Sequence, residues 1–143
     1  MTKYFTERVL SLKTKLLSYQ EAEERYVYII ELGKTAPPFL PEYKIAQNVV
    51  AGCQSILYLR TTHQDGKLFF SSYSEALISA GLAALLVAIY NDATPTTILL
   101  NPPTFLQEIG LLASLSPSRS NGLASIYLRM KQEALKVLNK ETQ

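Results

Sequence analysis

From Ala76 to Tyr90 the chain runs for fifteen residues without a charge. Wound as a helix, Ala76-Leu77-Ile78-Ser79-Ala80-Gly81-Leu82 and the residues up to Tyr90 would be apolar on every side, so no face of it can be left to water. It is shorter than the roughly 20 residues that cross a bilayer. The run therefore predicts a helix buried all round by neighbours, the centre of a domain rather than a membrane span. Ser74 is placed to cap it, with Glu75 in its first turn. The rest of the chain must supply the shell. At 143 residues that shell and centre fit a single domain over residues 1–143, since one core usually serves roughly 100 to 200 residues.

The shell is legible as amphipathic elements. Phe5, Val9, Leu12 and Leu16 recur at helical spacing near the start. A second helix is expected from about Gln20 to Leu32, with Glu21, Glu23 and Glu24 at its positive end and Gly33 as its stop. Pro37, Pro38 and Pro41 then impose a stiff, extended connection. Ser55 to Thr62 and Leu68 to Ser72 flank Asp65-Gly66, which reads as an antiparallel hairpin, and Val49-Val50 is expected as a third strand or its edge. Thr94-Pro95 and Asn101-Pro102 each set a capping residue before a proline, so two short helices are expected next. Leu123, Ile126, Met130, Ala134 and Val137 form one stripe of a long helix from Ser118 to about Leu138. The fold class is α+β: a small antiparallel three-stranded sheet packed against helices.

Composition excludes several functions. With 48% hydrophobic and 18% charged residues, disorder is ruled out. The net charge of +2 has no polybasic run behind it, so neither nucleic acid nor an anionic membrane surface is an expected partner. One Cys and one His cannot build a structural zinc site of four Cys/His ligands, or hold an iron–sulfur cluster by four cysteines, from one copy, and no metal is expected. The Gly-rich phosphate cradles G-x-G-x-x-G and G-x-x-x-x-G-K-[ST] are missing. A single cysteine and no secretory leader point to the cytoplasm or another reducing compartment.

The lone thiol, Cys53, lies in Asn48-Val49-Val50-Ala51-Gly52-Cys53-Gln54-Ser55, at the mouth of a predicted strand. Gly52 permits a sharp turn that would present the thiol at a loop tip. The bland alternative is a small buried hydrophobe, the commonest role of a free cysteine. His63 is the one possible partner base, but a strand rising about 3.3 Å per residue separates it from Cys53 by roughly 26 Å. A stand-alone thiol enzyme is therefore disfavoured. Arg119, at the helix entrance Ser116-Pro117-Ser118-Arg119, is the better charged neighbour, with a surface or capping arginine as its plain alternative. Glu75 stands between a first-turn acid and a functional one.

Four segments in order carry a resemblance. Asn48-x-Val50-x-Gly52-Cys53-Gln54-Ser55, Asp65-Gly66-x-Leu68-x-Phe70, Ser74-Glu75-Ala76-x-Ile78-x-x-Gly81-Leu82 and Leu115-Ser116-Pro117-Ser118-Arg119-Ser120-x-Gly122-Leu123 look like the SufE/CsdE family of sulfur acceptors. Arg25-Tyr26-x-x-Ile29-Ile30-x-Leu32-Gly33 resembles the same family's second helix. The resemblance implies a SufE/IscU-like α+β fold. It also implies a carrier that takes persulfide sulfur from a PLP-dependent cysteine desulfurase of the SufS/CsdA kind onto Cys53. Such a carrier stimulates that enzyme and relays the sulfur to a SufBCD-like iron–sulfur scaffold. By position Gly52, Gln54, Glu75 and Arg119 would support the loop or the docking. PLP would belong to the partner, and this chain would hold no cofactor of its own. A homodimer stays open, and a non-catalytic module regulating a partner enzyme is the alternative reading. The chain departs from the family pattern at Tyr73-Ser74-Glu75-Ala76, where relatives often read Asp-Ser-Asp-Ala. It departs again at Ile56, in place of glutamine, and at Ala80, where lysine is common.

Overall fold

The structure, a computed structural model, describes residues 2–111 and 115–141. Six helices and one hairpin are formed among them: α1 (Thr2–Leu17), α2 (Ala22–Lys34), β1 (Leu57–Gln64), β2 (Lys67–Ser74), α3 (Leu77–Tyr90), α4 (Pro95–Leu100), α5 (Phe105–Glu108) and α6 (Pro117–Glu141). Two 3-10 turns, Pro41–Tyr43 and Ala46–Asn48, carry the chain from α2 to β1. Buried side chains from all of these helices and both strands join one hydrophobic cluster. Its middle is α3, where Leu82, Ala83, Leu85, Leu86, Ile89 and Tyr90 are almost fully buried. The expected all-round burial fails at the first turn, where Leu77 is 54% exposed. That turn emerges beside the cysteine loop.

The closest packing is between α2 and α3. A Cβ built on Gly81 would lie 2.2 Å from the Ile29 carbonyl oxygen, and one on Gly33 would lie 2.8 Å from the Gly81 nitrogen. Two glycines thus let the backbones touch. This corrects the reading of Gly33 as a helix stop. α2 runs on through Lys34 and closes where Thr35 donates its N–H to the Glu31 carbonyl at 2.9 Å.

Asp65 and Gly66 both take positive φ, 54° and 76°, the geometry that a two-residue hairpin turn requires, and they set the register Gln64↔Lys67 through Leu57↔Ser74. The sheet has two strands, not the three expected. Val49 makes one isolated bridge to Tyr58, and Val50 N–H bonds the Leu57 carbonyl at 2.9 Å, but no ladder forms beyond them. Before this bridge, residues 46–48 wind into a 3-10 turn. After it, Gly52 leaves the strand region at φ 87°, and the Val49 carbonyl is bonded by Arg129.

Two caps also differ from expectation. Ser74 ends β2 instead of capping α3: its hydroxyl donates to the Ile56 carbonyl at 2.9 Å and accepts from Ala76 N–H at 3.2 Å, and Ala76 is the N-cap. Asn101 closes α4, donating through Nδ2 to the Thr97 carbonyl at 2.8 Å, while the next helix is capped at Thr104. Thr94, by contrast, caps α4 as expected, its Oγ1 accepting from Thr97 N–H. The stripe of α6 is buried from Leu123 to Val137, and α3 and α4 both pack on that helix. No helix among the described residues is long and apolar enough to cross a membrane.

Candidate functional site

Between Val50 and Leu57 the chain makes a short loop whose base is closed by the bond between those two residues. Gly52 and Gln54 are exposed on it, and Cys53 between them is half-buried. The turn that aims the thiol inward depends on Gly52. Its φ of 87° disfavours any side chain, and an added Cβ would meet the Ser125 Oγ at 2.5 Å. The loop therefore lies flat against α6.

The thiol faces a cavity of about 30 Å³ lined by Gln54, Ser55, Leu57, Ser79 and Leu82 on one side and by Ser118, Arg119, Gly122 and Ile126 of α6 on the other. That is the room of about one water molecule. Sγ approaches the Gly122 carbonyl at 3.9 Å, a weak contact at best for a thiol donor. Burial among these walls raises the thiol pKa above its ordinary value. In this resting position Cys53 is held as the protonated, poorly nucleophilic form.

Of the residues singled out from the sequence, Gly52, Gln54 and Arg119 meet at Cys53. Arg119 is exposed at the rim, and its guanidinium forms no ion pair among the described residues. Its backbone N–H bonds Ser116, which opens α6. Glu75 is placed elsewhere. It is exposed just before α3, in a neighbouring groove of about 520 Å³ shared with Lys44, Ile56, Tyr58 and Tyr73, and only Ser55 belongs to both hollows. The expected first-turn position of Glu75 is thus corrected, because α3 starts two residues later. Tyr73, the departure from the family's acidic residue, lies under the Lys44 ammonium at 3.7 Å and stacks on Phe39 with ring centroids 6.1 Å apart. His63 pairs with Leu68 at the turn end of β1, the far end of that strand from Cys53. It does not line the thiol's cavity.

Ser79 and Ser125 escaped the reading of the sequence as site residues, and Ile126 was read only as part of the buried stripe of the last helix. None carries a motif that marks it for the site, and each matters there only because α3 or α6 brings it against a loop more than twenty residues away in the chain. Among the described residues no group of three His, Cys, Asp or Glu is placed to hold a metal ion.

A half-buried lone thiol on a tight loop between a hairpin and a long C-terminal helix defines a small thiol protein of α+β class. Comparison with known proteins is specific about which. The SufE family, described as an Fe-S metabolism associated domain, matches residues 11–134. An uncharacterised SufE-like protein of Synechocystis sp. is 38% identical over 117 residues, 82% of this chain and 74% of that one. Another, from Rhizobium etli, is 38% identical over 118 residues, covering 78% and 79%. The solution structure of a hypothetical protein from Thermus thermophilus shares the fold, with a TM-score of 0.77 at 23% identity over 92% of this chain and 96% of its own. The chain belongs to the SufE family. That membership associates it with Fe-S metabolism and sulfur transfer, in partnership with a cysteine desulfurase.

Proposed function

We propose that this protein is a sulfur carrier in which Cys53 accepts a sulfur atom from the persulfide of a PLP-dependent cysteine desulfurase of the SufS/CsdA kind. The observation that carries the reading is the position of the chain's one thiol: on a loop tip, half-buried, with a small polar-rimmed cavity in front of it. The Cys53 thiolate attacks the outer sulfur of the donor persulfide. The S–S bond of the donor breaks, its inner sulfur leaves as a thiolate, and a new S–S bond forms on Cys53. No net oxidation occurs, and the proton of the Cys53 thiol passes to solvent or to the partner. No residue lining the thiol's cavity is a base, so activation comes with docking, when the loop swings outward and the burial that raises the thiol pKa is relieved.

A lone cysteine suits a carrier. With no second thiol in the chain, a Cys53 persulfide cannot be resolved into an internal disulfide with loss of its sulfur. Arg119, charged and exposed at the rim, is suited to the partner or to the anionic persulfide, and Glu75 with its groove to the docking face. The sulfur then passes to an iron–sulfur scaffold of the SufBCD kind, and docking stimulates the desulfurase. PLP remains with that enzyme.

Intact mass spectrometry tests this directly. After incubation with the cognate desulfurase, PLP and cysteine, the wild-type chain is expected to gain one sulfur mapped to Cys53, and Cys53→Ser to gain none. Absence of sulfur on the wild-type protein, with binding to the desulfurase demonstrated, would overturn the reading in favour of a regulatory module.

A further inference from the structure

The root of the cysteine loop is held by a side chain far along the last helix. Arg129 on α6 donates through Nη1 to the Val49 carbonyl at 2.9 Å and through Nη2 to the Gln47 carbonyl, while its Nε donates to Glu133 Oε1 at 3.1 Å. Lys136 adds a contact to the same oxygen at 3.3 Å. The Arg129 and Glu133 side chains are 18% and 17% exposed, so this is an ordered, partly dry cluster rather than a waving surface pair. A guanidinium is suited to it, because its planar fork offers donors in fixed directions to two carbonyls and a carboxylate at once.

The placement matters because of what else lies on that helix. Gly122 and Ile126, which wall the cavity in front of Cys53, stand seven and three residues before Arg129, on the same face of α6. The helix is continuous from Pro117 to Glu141, so wall and clamp are parts of one rigid rod, with Ile126 about 5 Å and Gly122 about 10 Å from Arg129 along its axis. Downstream, the loop is anchored to the hairpin at Leu57. Upstream, Arg129 ties the carbonyls at 47 and 49 to the helix that carries the wall. Between these anchors the loop meets α6 through Gly52 on Ser125 and the long Sγ contact to Gly122.

We infer that Arg129 is a positioning residue which fixes the root of the Cys53 loop to α6 and thereby sets how far the thiol sits inside its cavity and how readily it swings out. The inference deepens the carrier reading and rests on it for its purpose, though not for its geometry. Arg129 lines no part of the thiol's cavity and acts through the loop backbone. With Arg129 removed, the Gln47 and Val49 carbonyls turn to water on a partly exposed segment, and the cavity loses its registration with the thiol.

Maleimide alkylation of Cys53 in the isolated, folded protein tests this without a desulfurase. Arg129→Gln is expected to raise the second-order rate roughly tenfold, the factor set by about 1.4 kcal/mol of opening free energy. Arg129→Lys, which keeps the charge but loses the fork, should fall between it and the wild type, and carries the test if the glutamine variant does not fold. Lys140→Ala, an exposed lysine on the same helix outside the cluster, should leave the rate unchanged. The core variant Ile98→Val, which lowers global stability at a fully buried site that does not line the cavity, should also leave it unchanged, because a purely structural loss acts by global unfolding and not by the loop. Rates for both Arg129 variants within twofold of the wild type would overturn the inference, even if sulfur loads normally on Cys53. Accelerated alkylation with no sulfur loading on the wild type would instead uphold the clamp and sink the carrier reading.

Discussion

At the scale of single residues, the site poses a conflict between shelter and reactivity. In the transfer proposed above Cys53 must attack as the thiolate, yet its resting environment favours the protonated thiol, and burial is the one cause that shifts it. The same burial links its ionisation to stability. An unfolded thiol titrates near about 8.5, and the folded one above its own ordinary value. Below the unfolded pKa both states hold the proton. As pH rises from there through the folded pKa, the unfolded chain releases it first, so stability is lost. Tyr28, Tyr90 and Tyr127 are raised by burial too and act in the same direction, so the comparison must isolate the thiol. Urea midpoints of wild type and Cys53→Ser, measured from about pH 7 to 10, are expected to diverge, the wild type losing more as pH rises; parallel curves would show that the thiol's burial carries no such linkage. The candidate nucleophile was legible in the sequence because the chain has only one cysteine. Its walls were legible only in part: Gln54 and Arg119 could be singled out, but nothing in the sequence says that Gly122, 69 positions away, faces Sγ, and Ser125 carries no sign of the glycine it covers.

At the scale of elements, the crossing of α2 and α3 decides where the loop can stand, for α3 carries Ser79 and Leu82 to the cavity. Gly33 and Gly81 make that crossing a backbone contact, and the atom that an added Cβ would strike at Gly81 is a carbonyl oxygen that cannot rotate away. Gly81→Ala is expected to cost about 3 kcal/mol or more by overpacking. Gly66→Ala, at the open hairpin turn with no atom within 4 Å of its Cβ, should cost only the left-handed backbone strain of about 1–2 kcal/mol. Chemical denaturation of the two variants checks the ranking, and equal losses would mean that the crossing tolerates a spread. Helices with strong stripes, such as α1 and α6, were readable from periodicity, and the Asp65-Gly66 turn from its chemistry. The third strand was not: Val49-Val50 has strand composition, but the Val49 carbonyl is spent on Arg129, and an Arg129–Glu133 spacing reads from sequence as an ordinary exposed helix pair. Gly33 misled for a related reason, since a glycine near a helix end looks the same whether it stops the helix or admits a neighbour.

At the scale of the whole molecule, a carrier must expose its thiol without unfolding. The architecture separates the two events: the core cluster runs through α3, α4, α6 and the hairpin, while residues 51–56 lie outside the strand ladder and outside every helix. Swinging that loop out breaks the packing of Gly52 on Ser125 and the long Sγ contact, and leaves the buried stripe of α6 in place. Such an opening uncovers little surface, so its free energy should barely respond to denaturant. Global unfolding, in contrast, should show a slope of about 1–3 kcal/mol per molar urea for a domain of this size. Labelling of Cys53 by a maleimide across a urea series therefore separates the routes. The rate is expected to stay nearly flat at low urea, where the loop opens locally, and to climb steeply only as the cooperative transition begins. If the logarithm of the rate instead rose with the global slope from zero urea onward, the thiol would be reached only through the unfolded chain. A carrier working at native stability would then need its partner to pry the loop open, and adding the desulfurase without cysteine would have to accelerate labelling of Cys53 before any sulfur is transferred.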